Sequence, residues 1–159
     1  MTSGINVELY EKIFEKDEDD YNGIMIKAIT DRLAEAFAEY MHDRVRKDLW
    51  GYQPKELSTE DMIQEKYQGI RPAPGYPACP EHTVKKDIFT ILQTDEIGMQ
   101  LTDSMAMHPA SSVSGFYFAH PNAKYFSVDK IDEDQLDDMA SRRSVPTKQL
   151  RKWLGPNLR

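Results

Sequence analysis

Residues 71–82 read Arg-Pro-Ala-Pro-Gly-Tyr-Pro-Ala-Cys-Pro-Glu-His, a dozen residues that include four prolines. Proline fixes φ and lacks an N–H donor, and the residue before each proline is kept out of the α region. The stretch is therefore predicted to be neither regular helix nor central strand but a stiff, extended segment, which we call the proline ribbon. Such a ribbon either connects two helices or holds a small ligand through main-chain groups, and composition alone favours the connector.

Helical periodicity precedes the ribbon. From about residue 19 to residue 49, apolar side chains recur at the three-and-four spacing of one helical face, which predicts a long helix with that face in the core. These side chains are Ile26, Ile29, Leu33, Ala36, Phe37 and Tyr40. Gly51 is a candidate C-terminal cap, and Ser58 with Asp61 predicts a short helix that ends near Tyr67.

Shorter elements are predicted after the ribbon. Pro80 can occupy the first turn of a helix. The buried stripe of that helix would be Val84, Ile88, Ile91 and Leu92. Residues 105–107, 113–119 and 124–128 carry aromatic and β-branched side chains and are predicted as strands. Turn residues at 120–123 would join the last two strands in an antiparallel hairpin.

Two helices are predicted to close the chain. Asp132 with Gln135 caps the first, and Ser144 followed by Pro146 begins the second. The second would be anchored by Leu150, Trp153 and Leu154. Together the elements predict a single α+β domain over residues 1–159, in which helices flank a small antiparallel sheet. Two or three strands are marginal alone, so we expect this sheet to be incomplete in the present chain.

Composition limits the class of protein. The chain has 159 residues, a net charge of −7 and one cysteine, Cys79. The acidic balance argues against a nucleic-acid-binding protein, because phosphate backbones are bound by basic surfaces. No apolar run is long enough for a membrane span and no signal peptide is visible, so a cytoplasmic protein is expected. A single cysteine excludes an internal disulfide and fits a reducing compartment.

Two carboxylates lie on one face of the predicted long helix. Asp31 and Glu35 are four residues apart, and at 100° per residue their face is roughly opposite Leu33 and Phe37. They form either a solvated polar face or a carboxylate pair that holds an ammonium group or orients a partner's histidine.

Residues in the ribbon are candidates for ligand contact. Arg71 could bind a carboxylate or form an internal salt bridge, for instance with Glu65. Gly75 permits close approach of the backbone, and Tyr76 either presents a flat ring to a ligand or fills the core. The four histidines show no metal-ligand spacing. His82, at the start of a predicted helix, is the candidate site residue among them, with a structural role as the alternative.

The proline ribbon resembles the signature of the activation domain of cobalamin-dependent methionine synthase. Three further stretches are similar to the same domain, namely residues 31–39 with Trp50-Gly-Tyr, residues 109–121 and residues 124–126. The resemblance extends from about residue 19 to residue 157. It implies an α+β fold with helices around a small bent antiparallel sheet. It also implies a domain that binds S-adenosylmethionine and returns oxidised cobalamin to methylcobalamin, with an electron from flavodoxin or a related reductase.

The resemblance implies a ligand-binding set in and near the ribbon. Arg71 matches an arginine that binds S-adenosylmethionine. Backbone groups near Ala73 should assist it, as should Gly75 and Tyr76, and Tyr76 would also face the corrin. Glu35 matches a ligand-binding carboxylate.

Four more residues receive roles from the resemblance. Tyr125 and Phe126 match an aromatic pair that lines the ligand, although the second position is often tyrosine, so Phe126 lacks a hydroxyl contact. Asp31 matches an acidic residue that engages a histidine of the cobalamin-binding module. His82 would lie near the corrin-facing surface.

Two departures shape the functional expectation. The family's domain has an additional N-terminal portion with no counterpart here, so the chain resembles the C-terminal part of the domain. The Asp-x-His-x-x-Gly pattern of the cobalamin module is absent too, so cobalamin would be held by a separate module. We expect the chain to bind S-adenosylmethionine and to support reductive methylation of cob(II)alamin as part of methionine synthase, without catalysing alone. The alternative is a non-catalytic module that docks on a cobalamin-binding domain or flavodoxin.

Overall fold

Helices dominate the computed structural model, which describes all 159 residues. The α-helices are Val7–Lys16 (α1), Asp20–Arg44 (α2), Thr59–Ile63 (α3), Val84–Ile91 (α4), Glu133–Arg143 (α5) and Thr147–Leu154 (α6). Strands Gln100–Leu101 (β1) and Met107–His108 (β2) pair antiparallel, with Gln100 opposite His108. This arrangement confirms an α+β fold with a small antiparallel sheet. None of the helices combines the length and apolarity that crossing a bilayer requires.

The extent of α2 agrees with the sequence prediction. The Asp19 carboxylate accepts a hydrogen bond from the Asn22 N–H at 3.0 Å and caps the N-terminus. At the other end a π-helical turn, Val45–Leu49, continues the helix, and Gly51 follows with φ of +72°. α1, which the sequence analysis did not predict, packs against α2.

The face of α2 that packs into this chain is not the predicted one. Its buried residues are Thr30, Ala34, Ala38 and His42. Leu33 and Phe37, predicted to be core, are 53% and 40% exposed. The buried stripe has small side chains because the 111–113 segment approaches closely there, with the Ser111 hydroxyl 2.8 Å from Thr30 Oγ1. Periodicity identified an apolar face but could not show which face this chain covers.

The predicted strands at 113–119 and 124–128 do not form, and the hairpin prediction was wrong. Residues 120–123 do form a turn, in which the Ala123 N–H donates to the His120 carbonyl at 2.9 Å. The flanking segments instead contact residues of the ribbon region. Ile70 and Phe118 exchange two backbone hydrogen bonds of 3.0 Å, and Val128 N–H donates to the Pro77 carbonyl at 2.8 Å. The ribbon's prolines have no N–H, so a continuous ladder cannot develop beside it.

The helices adjoining the ribbon are shorter than expected. The Ser58 hydroxyl accepts from the Asp61 N–H at 3.1 Å and begins α3, as predicted, but α3 ends at Ile63 rather than near Tyr67. α4 begins at Val84, beyond Pro80. Its stripe was predicted in part, since Ile88 is buried whereas Ile91 and Leu92 are exposed.

The two closing helices agree well with prediction. The Gln135 side chain accepts from the Asp132 N–H at 2.9 Å at the start of α5. Leu136 and Ala140 of α5 then pack with Leu150 and Leu154 of α6 in one apolar cluster. A second cluster joins Ile88, Phe89 and Met99 beneath the ribbon. The ribbon is thus supported by α4 on one side and by α2 on the other.

Candidate functional site

A cavity of about 670 Å³ lies between the proline ribbon, α2, α4 and the 112–117 segment. Its lining is mainly apolar, with a few polar groups, as is usual for small-molecule sites. All the predicted ligand-binding residues line it, namely Glu35, Arg71, Ala73, Gly75, Tyr76, Tyr125 and Phe126. His82 also lines it, whereas Asp31 does not. The cavity therefore brings together eight of the nine predicted site residues.

The ribbon is extended only at its start, which corrects the prediction of a fully extended segment. Residues 71–73 run beside the 116–118 segment, where the Pro72 carbonyl accepts a hydrogen bond from the Phe116 N–H, and the chain then folds back through two turns. The Gly75 N–H donates to the Cys79 carbonyl at 2.7 Å, and the Cys79 N–H donates to the Tyr76 carbonyl at 2.9 Å. Gly75 has φ of +98°, and a Cβ there would overlap the His82 ring. Glycine is thus required both by the turn and by the histidine beneath it.

A second close approach shapes the opposite wall of the cavity. A Cβ on Gly115 would lie 2.7 Å from the Pro72 carbonyl oxygen. With glycine there, the neighbouring Phe116 N–H donates to that same oxygen at 2.9 Å. The 112–117 segment can therefore lie directly against the ribbon.

The Arg71 guanidinium is held by three residues under the ribbon. Its Nη2 lies 2.5 Å from Glu39 Oε2, and its Nη1 donates to the Tyr67 hydroxyl at 2.6 Å and to His42 Nδ1 at 3.2 Å. The internal salt bridge suggested for Arg71 therefore exists, but with Glu39 rather than with Glu65. A guanidinium has five N–H donors, so these contacts leave two for a ligand.

His42 is a neutral acceptor in this cluster. Burial, followed by the positive charges of Arg46 and Arg71, lowers the pKa of His42 to about 3. Arginine cannot accept a hydrogen bond, so Nδ1 carries the lone pair and Nε2 carries the proton, which points to the Tyr52 hydroxyl 3.2 Å away. Burial also raises the pKa of Tyr67 to about 12, so Tyr67 is a neutral phenol.

Glu39, His42 and Tyr67 were not identified as site residues by the sequence analysis. Glu39 lies four residues after Glu35, and His42 lies three residues after Glu39, so both continue the helical stripe of Glu35. That spacing was the available signal. Tyr67 offered none, because its position depends on where the chain turns after α3.

Aromatic rings stand at the mouth of the cavity. Tyr76, Tyr125 and Phe126 are all exposed, Tyr76 to 62%, which excludes the alternative that Tyr76 fills the core. The Tyr125 hydroxyl accepts from the Arg71 N–H at 3.0 Å and so connects the 124–126 segment to the ribbon. These rings can therefore contact a flat ligand or a docked partner.

Two basic side chains of the α4 region line the cavity. Lys85 is buried, its Nζ donates to the Met105 carbonyl at 3.0 Å, and burial lowers its pKa. Burial and, secondarily, the charge of Lys85 lower the pKa of His82. The buried Nδ1 of His82 has no hydrogen-bond partner within the protein. The His82 Nδ1 atom is therefore available to form a hydrogen bond with a ligand.

The remaining candidate, Asp31, lies outside the cavity. It is exposed on α2, and its Oδ1 lies 2.7 Å from the Ser111 hydroxyl. Glu35, one turn later, is exposed too but reaches the cavity. The two carboxylates thus share a helix face without sharing a site. No group of three or more histidine, cysteine or acidic side chains is arranged to hold a metal ion.

Comparisons with known proteins agree on one family. The sequence model of the vitamin B12 dependent methionine synthase activation domain matches residues 1–144. A crystal structure of the MetH reactivation domain bound to AdoHcy is 55% identical in sequence and superimposes with a TM-score of 0.93. The match covers 96% of this chain and 47% of that one, so this chain spans about half the length of that structure.

Proposed function

The chain belongs to the activation-domain family of vitamin B12 dependent methionine synthase, and we propose that it binds S-adenosylmethionine in the cavity beside the proline ribbon. One observation carries the proposal. Arg71 is fixed by Glu39, Tyr67 and His42 and retains two free N–H donors at the cavity wall. A pre-oriented guanidinium of this kind suits the carboxylate of an amino-acid ligand. The related crystal structure contains AdoHcy, which is S-adenosylmethionine without the transferable methyl group.

Different residues of the cavity would bind different parts of S-adenosylmethionine. Arg71 would bind the carboxylate, and Glu35, across the cavity on α2, would bind the ammonium group. Main-chain groups at Ala73 and Gly75, which line the cavity, would hold the ligand against the ribbon. Aromatic rings would cover its flat portion, as aromatic faces do in many ligand sites. These rings are Tyr76, Tyr125 and Phe126.

The chemistry requires placement rather than proton transfer. When bound, S-adenosylmethionine supplies a methyl group attached to a sulfonium. The sulfur departs as a neutral thioether, so the transfer needs no general acid or base. The chain's contribution is then to orient the donor and to exclude water. The fixed Arg71 and the turn at Gly75 perform the first task, and the apolar cavity wall performs the second.

The wider reaction involves other modules. We propose that the bound methyl donor serves the reductive methylation of cob(II)alamin, with cobalamin on a separate module and an electron from flavodoxin or a related reductase. Asp31, exposed and outside the cavity, would meet a histidine of the cobalamin module, and Tyr76 and His82 would face the corrin. The setting is the cytoplasm, where methionine synthase acts as a methyltransferase. The chain alone would not catalyse.

A second function is a docking module that does not bind the methyl donor. The observation that favours it is the exposure of the Tyr76, Tyr125 and Phe126 rings at the mouth of the cavity, where a partner can contact them. Such a chain would meet a cobalamin-binding domain or flavodoxin through its exposed aromatic rings and Asp31.

Two measurements on the same protein separate these functions. A ligand present at 100 times its dissociation constant stabilises a protein by about 2.7 kcal/mol, so S-adenosylmethionine should raise the melting temperature. Capture by an immobilised cobalamin module is measured in parallel. A raised melting temperature supports the methyl-donor site, whereas capture without any shift supports the docking module. Arg71→Ala should lose the shift in melting temperature, whereas Arg142→Ala, which removes an exposed arginine on α5, should show the same shift as the wild type.

A further inference from the structure

The α4 side of the cavity contains a buried cation that no acidic residue of the chain compensates. Lys85, in the first turn of α4, lines the cavity and is only 7% exposed. Its Nζ donates one hydrogen bond within the protein, to the Met105 carbonyl at 3.0 Å. A lysine ammonium has three N–H donors, so two of them remain for a ligand.

The charge of Lys85 lacks a counter-charge. Charged groups inside proteins are normally paired, because removing an ion from water costs free energy that an opposite charge must offset. Burial is the only cause that lowers the pKa of Lys85, so no acidic side chain is near enough to stabilise its ammonium form. The guanidinium of Arg71, by contrast, is paired with Glu39. Of these two cations in the cavity wall, Lys85 is therefore the unpaired one.

The surroundings of Lys85 in the cavity are apolar. Ile88 and Phe89 follow it by three and four residues, so they lie beside it on the same face of α4. They pack with Met99 in one buried cluster, and Met107 lies against that cluster. All four apolar side chains line the cavity together with Lys85, and we call the five residues the Lys85 wall.

A single unpaired ammonium beside apolar surface suits one class of ligand, a monocarboxylate with an apolar body. Its carboxylate would accept the free N–H donors of Lys85 and supply the missing negative charge. His82, near enough to Lys85 to have its pKa lowered by that charge, has a buried Nδ1 without a partner. When Nδ1 carries the ring proton it can donate a further hydrogen bond. A phosphate group fits less well, because it carries more negative charge than one lysine neutralises.

We propose that the Lys85 wall binds an apolar monocarboxylate, with the carboxylate on the Lys85 ammonium and the body against the apolar residues of the wall. The site is separate from Arg71, to which the function proposed above assigns the carboxylate of S-adenosylmethionine. Binding at the Lys85 wall needs neither Arg71 nor the methyl donor, so it stands or fails independently of that function.

Hexanoate, a carboxylate with a short aliphatic body, is the probe, and the melting temperature of the full chain is measured as hexanoate is added. Lys85→Met removes the charge with a side chain of similar length, and Lys86→Met removes the exposed neighbouring lysine as the matched control. Hexanoate should raise the melting temperature of the wild type and of Lys86→Met saturably. Its affinity for Lys85→Met should be at least about tenfold lower, because the charge-assisted hydrogen bonds are lost.

NMR of the methionine methyl groups locates hexanoate on the wild-type protein without relying on a variant. The signals of Met99 and Met107 should move, whereas that of Met139, which packs against the α5–α6 cluster, should not. Unmoved Met99 and Met107 signals would overturn the proposal, as would undiminished hexanoate affinity in Lys85→Met. Equal stabilisation by inorganic phosphate would also overturn it, because the apolar body would then contribute nothing to binding.

Discussion

Acid should destabilise this protein through His42. The side chain is fully buried, its ring stacks on Tyr117 at 5.1 Å and meets Tyr67 edge-on at 4.8 Å, and its Nδ1 accepts from Arg71. Burial and the neighbouring guanidinium groups of Arg46 and Arg71 lower the pKa of His42 from 6.5 to about 3. The unfolded chain has no such environment, so His42 there titrates near 6.5.

The size of the effect follows from the difference between the two pKa values. Between pH 6.5 and about pH 3 the unfolded state binds a proton that the folded state does not. The free energy of unfolding therefore falls as the pH falls through this window, by about 1.4 kcal/mol per pH unit. From pH 7 to pH 5 the loss from His42 alone is about 2 kcal/mol. His82, whose pKa is also lowered, acts in the same direction.

Urea denaturation at pH 7 and pH 5 measures this loss. His42→Gln removes the titrating group, so the variant should lose about 2 kcal/mol less than the wild type between the two pH values. Each protein is compared with itself, so any packing defect of the variant cancels. An identical loss in wild type and His42→Gln would show that His42 does not cause this pH dependence.

Three further substitutions test the architecture of the site. Gly75→Ala should destabilise the protein more than Gly98→Ala. Both glycines have positive φ, which costs an alanine about 1 kcal/mol or more, but only at position 75 does a histidine ring lie where the new Cβ would be. Equal melting temperatures of the two variants would contradict this. Ala34→Leu should destabilise by about 1–3 kcal/mol in urea, whereas Ala36→Leu on the exposed face should change stability by less than about 0.5 kcal/mol. Glu39→Ala should weaken S-adenosylmethionine binding about tenfold in a calorimetric titration, because the ribbon arginine loses its anionic partner, and Glu39→Gln should recover part of the loss; unchanged affinity in Glu39→Ala would contradict that role.

Local chemistry made several elements predictable from the sequence. Asp19, Ser58 and the Asp132–Gln135 pair satisfy helix N-termini within three residues, so no tertiary information was needed. The ribbon's departure from helix followed equally from its prolines. Its return turn, which the hydrogen bond from the Gly75 N–H to the Cys79 carbonyl closes, did not follow from the prolines, because they exclude helix without fixing where the chain folds back.

Elements that depend on a partner were not predictable. Either side of α2 satisfies a helical period, and only the position of the 111–113 segment decides that Ala34 is buried and Leu33 exposed. Segments 113–119 and 124–128 have the composition of strands, but their neighbour is a ribbon without enough donors to pair with them.

The residues that line the candidate site were predictable from the sequence, but the residues that hold Arg71 in place were not. The ribbon residues reach one cavity because they are adjacent in sequence. The contact between Arg71 and Glu39 joins residues 32 positions apart, and it depends on the rotation of α2 about its axis. In the sequence analysis Glu65 was named only as an example of a salt-bridge partner for Arg71, and the structure pairs Arg71 with Glu39 instead.

Calorimetric titration of the wild-type chain and of Arg71→Ala with S-adenosylmethionine tests whether the cavity beside the proline ribbon binds the methyl donor. We expect a saturable heat for the wild type, because the two free donors of Arg71 would bind the ligand carboxylate at the cavity wall. Loss of a charge-assisted pair should weaken binding by at least about tenfold in Arg71→Ala, while Arg142→Ala titrates like the wild type. Equal heats for wild type and Arg71→Ala, or no heat for either, would contradict the proposed methyl-donor site.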